Sequence, residues 1–76
     1  MTRLGEIFHK KSVNKAEVAR RTRLSDARIG QLTNNPTTKL TAAELYLIAK
    51  AIDEDPCKLL EYVCQGLELK SENSET

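Results

Sequence analysis

The sequence predicts an all-α domain of five short helices, and three observations carry that prediction. Apolar residues recur at three- and four-residue spacing, as in Leu45, Ile48, Ala49 and Ile52, which aligns them on one helix face. No stretch alternates apolar and polar residues over four or more positions between turn signals, so nothing reads as a strand. Each apolar run follows a residue that caps helices well: Thr2, Asn14, Ser25, Thr41 or Asp55.

The first helix runs from about Thr2 to Lys11, with Leu4, Ile7 and Phe8 as its buried stripe and Ser12 and Val13 ending it. Gly5 weakens it by up to about 1 kcal/mol relative to Ala. Asn14 followed by Glu17 reads as a capping-box variant, the Asn side chain bonding a first-turn amide and the Glu reaching back. The second helix starts there, turns Val18 and Ala19 inward and ends near Thr22. Ser25 caps the third helix, with Asp26 in the first turn where the helix dipole favours an anion. That helix extends to about Thr33, with Ile29 and Leu32 in the core and Ala27, Arg28 and Gln31 spread over the outer side. Gly30 is out of place mid-helix, where it costs about 1 kcal/mol.

Pro36 biases Asn35 toward extended backbone, and Asn34 is the candidate for a left-handed stop. A loop leads to Leu40. Thr41 and Glu44 form a full capping box and open the fourth helix, which ends by Asp53. Asp55 as N-cap and Pro56 at the first helical position start the fifth, with Leu59, Leu60, Val63 and Leu67 as its apolar side and Gly66 near its C-terminus. Residues 1–67 then form one domain. Residues 68–76 are polar and expected to be a disordered tail.

Seventy-six residues leave room for one core only, and a domain this small buries roughly 60% of its unfolded surface. With one Phe, two Tyr and no Trp, a large enzyme pocket is not expected. The longest apolar run, Leu45 to Ala49, is far short of the roughly 20 residues that span a bilayer. Arg3, Glu6 and His9 interrupt the N-terminal segment, which therefore lacks a signal-peptide core, so a cytoplasmic location is expected. Cys57 and Cys64 lie two helical turns apart, roughly 10 Å, too far for a disulfide, and are expected to be reduced and partly buried. His9 is the only histidine and there is no CxxC pair, so neither a metal site nor a cofactor is expected. The chain has no Ser-His-Asp or Cys-His pairing and no glycine-rich phosphate loop, which speaks against catalysis.

The net charge of +1 hides an asymmetry. Residues 1–40 carry nine basic and three acidic side chains, net +6, and residues 41–76 carry three basic and eight acidic ones, net −5. A basic pole of this kind suits a polyanion, because docked Lys and Arg release counterions from a phosphate backbone. The segment from Asn14 to Leu32 places a short capped helix, a turn of about three residues and a second capped helix in immediate succession, which is helix-turn-helix spacing. Val18, Ala19, Leu24, Ile29 and Leu32 would hold the pair at a steep angle, so that the second helix protrudes and fits a DNA major groove.

At this point the chain resembles the Xre/Cro-repressor family of bacterial and phage helix-turn-helix regulators. The resemblance rests on Asn14-Lys15-Ala16-Glu17-Val18-Ala19, on Leu24-Ser25, on Ile29 and Leu32, and on Leu45-x-x-Ile48-Ala49-Lys50-Ala51-Ile52 followed by Asp55-Pro56-x-x-Leu59-Leu60. It covers about Leu4 to Val63 and implies a five-helix lambda-repressor-like DNA-binding domain that works as a homodimer on a pseudo-palindromic site in double-stranded DNA. It also implies that base-reading positions fall on Asp26, Ala27 and Gln31, with Arg28 beside them as a base or phosphate contact. Gln31 is the best of these, since a Gln amide can bond adenine N6 and N7 together, worth roughly 1–3 kcal/mol of discrimination. Arg28 could grip guanine or a phosphate, Asp26 could accept from a cytosine amine, and Ala27 could touch a thymine methyl.

By the same resemblance, phosphate contacts fall on Asn14, Lys15, Asn34 and Lys39. The chain departs from the family pattern at Lys15, where Gln is common, and at Arg23, where Gly is common and a left-handed backbone would strain any other residue. A dimer would place its two third helices about 34 Å apart and use helix five and its exit, including Tyr62, Val63 and Leu67. The function implied is sequence-specific repression of transcription. The alternative is an antitoxin-type interaction protein, whose acidic half would bind a basic partner toxin while DNA binding autoregulates its operon.

Overall fold

A computed structural model describes residues 1–69. Its five helices are α1 (Arg3–Lys10), α2 (Lys15–Thr22), α3 (Asp26–Asn34), α4 (Ala42–Ala51) and α5 (Pro56–Val63). No strand occurs among the described residues. Every helix begins on its predicted cap, because the side-chain oxygen of each cap satisfies first-turn amides that have no partner within the helix. Thr2 accepts from the Gly5 amide, Asn14 from Ala16 and Glu17, Ser25 from Arg28, Thr41 from Glu44, and Asp55 from Cys57. The reciprocal half of a capping box forms at Thr41 and Glu44. It does not form at Asn14, contrary to expectation, because the Glu17 carboxylate accepts from Arg20 instead.

Three connections turn on left-handed residues that are not glycine: Ser12 (φ 55°), Arg23 (φ 65°) and Asp53 (φ 60°). Ser12 and Asp53 each let the following amide reach back to a carbonyl of the last turn, Val13 N to Phe8 O at 2.9 Å and Glu54 N to Ala49 O at 2.8 Å. α3 ends differently from the expected left-handed stop. Asn34 stays helical, and Asn35 takes extended backbone (φ −105°, ψ 108°) because it precedes Pro36.

The core joins Leu4 and Phe8 of α1, Val18 and Ala19 of α2, Ile29 and Leu32 of α3, and Leu59 of α5 to the α4 stripe of Leu45, Ile48 and Ala49 and to its C-cap, Ile52. α1 packs on α3 and α5, α4 packs on α2 and α5, and α2 packs on α3. The apolar side expected for helix five is narrower than predicted. Leu60 is 49% exposed because it lies about 100° around the helix from buried Leu59, and Leu67, past the end of α5, is 76% exposed. Cys64 is half-buried, but Cys57 is exposed in the first turn of α5, which corrects the expectation for that residue. Glu68 and Leu69 are exposed, and the rest of the predicted tail lies outside the described residues. Among the described residues no helix is long and apolar enough to cross a membrane.

Gly5 is more than a weak point in α1. A Cβ built on it would fall well inside contact distance of the Thr33 carbonyl oxygen and 2.7 Å from the Met1 Cγ. Two hydrogen bonds hold the helices this close, Thr2 N to Thr33 O at 2.9 Å and Thr2 Oγ1 to Leu32 O at 2.7 Å. The start of α1 is thus pinned to the end of α3.

Candidate nucleic-acid interface

α2 and α3 are joined by Arg23, Leu24 and Ser25. Buried Thr22 organises this turn: its hydroxyl donates to Val18 O at 2.7 Å and accepts from the Leu24 amide at 3.3 Å. Arg23 holds the left-handed conformation that the sequence suggested, at a cost of roughly 1–2 kcal/mol for a side chain with a Cβ. Leu24 packs partly buried against the core, and Ser25 Oγ accepts from the Arg28 amide at 3.0 Å to start α3.

Ile29, Leu32 and Thr33 anchor the inner side of α3, with Ile29 only 1% exposed. The Thr33 hydroxyl donates to Ile29 O at 2.9 Å, so its burial leaves no polar atom without a partner. At about 100° per residue, the direction opposite this anchor is occupied by Ala27, Gln31 and Asn34. All three are exposed, as is Asp26 at the helix start. Gly30 lies at the edge of the same outward line, and a Cβ built on it would meet nothing within 4 Å. Of the four expected base-reading positions, Ala27 and Gln31 therefore share the outward line, and Asp26 is exposed beside the helix start.

Arg28 has a different place. Its Nε and Nη2 donate to the two carboxylate oxygens of Glu44 at 2.8 and 2.9 Å, and Nη2 also donates to Lys39 O at 2.8 Å. The Glu44 side chain, 14% exposed, also accepts from the Thr41 amide at 2.9 Å. The Arg28 hydrogen bond draws the Glu44 carboxyl down to about 2, with the Thr41 bonds adding to it and desolvation opposing it. Arg28 is pushed upward in turn, chiefly by its bond to Glu44. The pair ties α3, the loop before α4 and the first turn of α4 together. Sixteen residues separate the partners, and the capping-box acid was the only hint of it in the sequence.

The expected phosphate contacts also divide. The Asn14 side chain is spent on the Ala16 and Glu17 amides at 3.0 and 3.2 Å, so those two donors do not face an incoming anion. Lys15 and Asn34 come together, lining one shallow recess with His9 and Ser12 between α1 and the helix-turn-helix. Lys39 is exposed, and its carbonyl takes the Arg28 bond.

Internal pairing thins the basic half. Arg3 donates to Gln65, Lys11 pairs with Glu54 at 3.2 Å, Arg20 pairs with Glu17, Arg21 donates to Ala51 O at 3.0 Å, and Arg28 holds Glu44. Lys11 and Arg28 reach acids of the second half, so the two halves of the chain are stitched together rather than standing as separate poles. Among the described residues, the remaining four cations of this half, Lys10, Lys15, Arg23 and Lys39, make no side-chain hydrogen bond or ion pair. Lys10 ends α1, and the other three stand at the start of α2, in the turn and in the loop beyond α3. These were not singled out as a set by charge counting, which does not tell a paired cation from a free one.

At the other end of the molecule, Tyr62 Oη donates to Glu6 at 3.1 Å and Val63 packs against the core. Of the three expected interface residues only Leu67 is fully open, while Tyr46, Leu47 and Leu60 are exposed nearby in sequence on α4 and α5. The family model of the Cro/C1-type HTH DNA-binding domain matches residues 3–65, which takes in all five helices. No curated protein and no solved structure matches the chain.

Proposed function

The chain belongs to the Cro/C1-type HTH DNA-binding domain family, and from that premise we propose that it is a sequence-specific repressor of transcription that lays α3 in the major groove of double-stranded DNA. The observation that carries this reading is the outward line of Ala27, Gln31 and Asn34 on a capped, well-anchored helix, flanked by the unpaired cations Lys15, Arg23 and Lys39. In this reading Gln31 reads a base, with Asp26 and Ala27 beside it. Lys15, Asn34 and Lys39 meet phosphates, and Asn14 acts mainly as the cap that orients Lys15. Arg28 leaves the reading set and serves as a strut.

Two copies bind together, because one α3 spans too few base pairs for high specificity, and paired half-sites would lie about 34 Å apart. The exposed apolar residues Tyr46, Leu47, Leu60 and Leu67 supply the surface for that homodimer. A second reading, an antitoxin-type protein that binds a basic toxin, draws on the same apolar residues and on the acidic second half.

Selection of bound duplexes from a random DNA pool at physiological salt tests the proposal, run in parallel with Gln31→Ala. The expected result is a pseudo-palindromic motif with half-sites about one helical turn apart. Gln31→Ala should relax one position of each half-site by roughly 1–3 kcal/mol. An unenriched pool, with binding that collapses as salt rises, would reduce the interface to a nonspecific basic surface and sink the proposal.

A further inference from the structure

We infer that Gly30 is a close-approach position, where the backbone of α3 comes against the edge of a DNA base pair with no side chain between them. This rests on the reading of α3 as the helix in the major groove. Each of the other two glycines is required by the chain's own geometry. Gly5 has no room for a Cβ against the Thr33 carbonyl, and Gly66 adopts φ 92°, where side chains are strained. Gly30 has neither reason. Its backbone is helical, it lies inside α3, and a Cβ on it would point into open space. The fold therefore bears the helix-propensity cost of a mid-helix glycine with no return inside the molecule.

The position of Gly30 supplies the return. It borders Ala27, Gln31 and Asn34 on the outward side of α3, one residue from the Gln31 amide. With small Ala27 beside it, the backbone can sink toward the groove floor. That depth lets a Gln side chain meet a base edge at hydrogen-bond length. A methyl group added at residue 30 would lift the helix by roughly 1–2 Å, enough to carry hydrogen bonds beyond their 2.7–3.2 Å range. Ser or Asn here would lift it further.

The test is Gly30→Ala, measured beside the wild-type protein on the duplex that wild type selects from a random pool. The melting temperature of the free protein should rise, because Ala is the better helix former and meets no neighbour. Affinity for the selected duplex should fall by about tenfold or more, the equivalent of losing one good base contact. Affinity for unrelated duplex should change little, since phosphate contacts set it. A variant that binds the selected duplex as tightly as wild type would overturn the inference while leaving the repressor reading intact. A lowered melting temperature would also overturn it, by showing that the fold itself requires the glycine. If wild type selects no sequence, the repressor reading falls and takes this inference with it.

Discussion

Replacing Gly5 by Ala is a gain of one methyl group in a helix, and by propensity alone it should stabilise α1 by about 1 kcal/mol. The structure reverses that sign. A Cβ at residue 5 would collide with the Thr33 carbonyl oxygen, come within 3.1 Å of its carbon and crowd Met1 at 2.7 Å. The oxygen and carbon belong to the backbone of α3, so relief requires the two helices to separate. Overpacking of this kind costs about 1–3 kcal/mol. Separation also stretches the bonds from Thr2 to Leu32 and Thr33, each worth roughly 0.5–1.5 kcal/mol.

Less the propensity gain, the net loss is about 1–5 kcal/mol, which at about 4–8 °C per kcal/mol for a domain this size lowers the melting temperature by at least several degrees. Helical circular dichroism followed through a thermal scan measures it. The same scan on Gly30→Ala, where the identical chemical change meets open space, should move the other way. A Gly5→Ala protein that melts at or above the wild-type temperature would refute the close α1–α3 contact and the reasoning built on it.

Two further outcomes follow from the turn and the strut. Arg23→Gly should raise stability by about 1 kcal/mol, because glycine adopts φ 65° without strain; an unchanged urea midpoint would mean the turn is relaxed with Arg in place. Glu44→Gln should lower the melting temperature at pH 7 by roughly 4–8 °C for about 1 kcal/mol of lost charge-assisted bonding. Because the Glu44 carboxyl titrates at about 2 in the folded chain instead of 4.5, its contribution is complete above about pH 4.5 and fades as pH falls toward 2. The wild-type advantage over Glu44→Gln should therefore shrink across that acid window, as paired melting curves from pH 6 to 2 would report; an advantage constant with pH would remove the Arg28–Glu44 bond from the account.

The helix starts were legible because a cap acts on amides two or three residues away, a range that sequence spacing expresses directly. Thr2, Asn14, Ser25, Thr41 and Asp55 all cap as read, although the reciprocal Glu17 bond expected at Asn14 does not form. The outward face of α3 was legible for the same reason: Ile29 and Leu32 define the inner side of the helix, and helical periodicity then sends Ala27 and Gln31 outward. Even the left-handed backbone of Arg23 could be anticipated, from the glycine that the family resemblance puts at that position.

What short spacing does not encode is which cation meets which acid and where two backbones touch. Arg28 stood beside Gln31 as a candidate base or phosphate contact until packing of α3 against α4 brought Glu44 to it. Gly5 and Gly30 are the same residue in the same kind of element, and only the arrival of Thr33 beside one of them, 28 positions along the chain, separates a glycine the fold needs from one it does not. Local hydrogen bonds and periodicity wrote the five helices into the chain. Their mutual approach, set by a core gathered from all five, chose which side chains are spent holding the molecule together and which are left facing solvent.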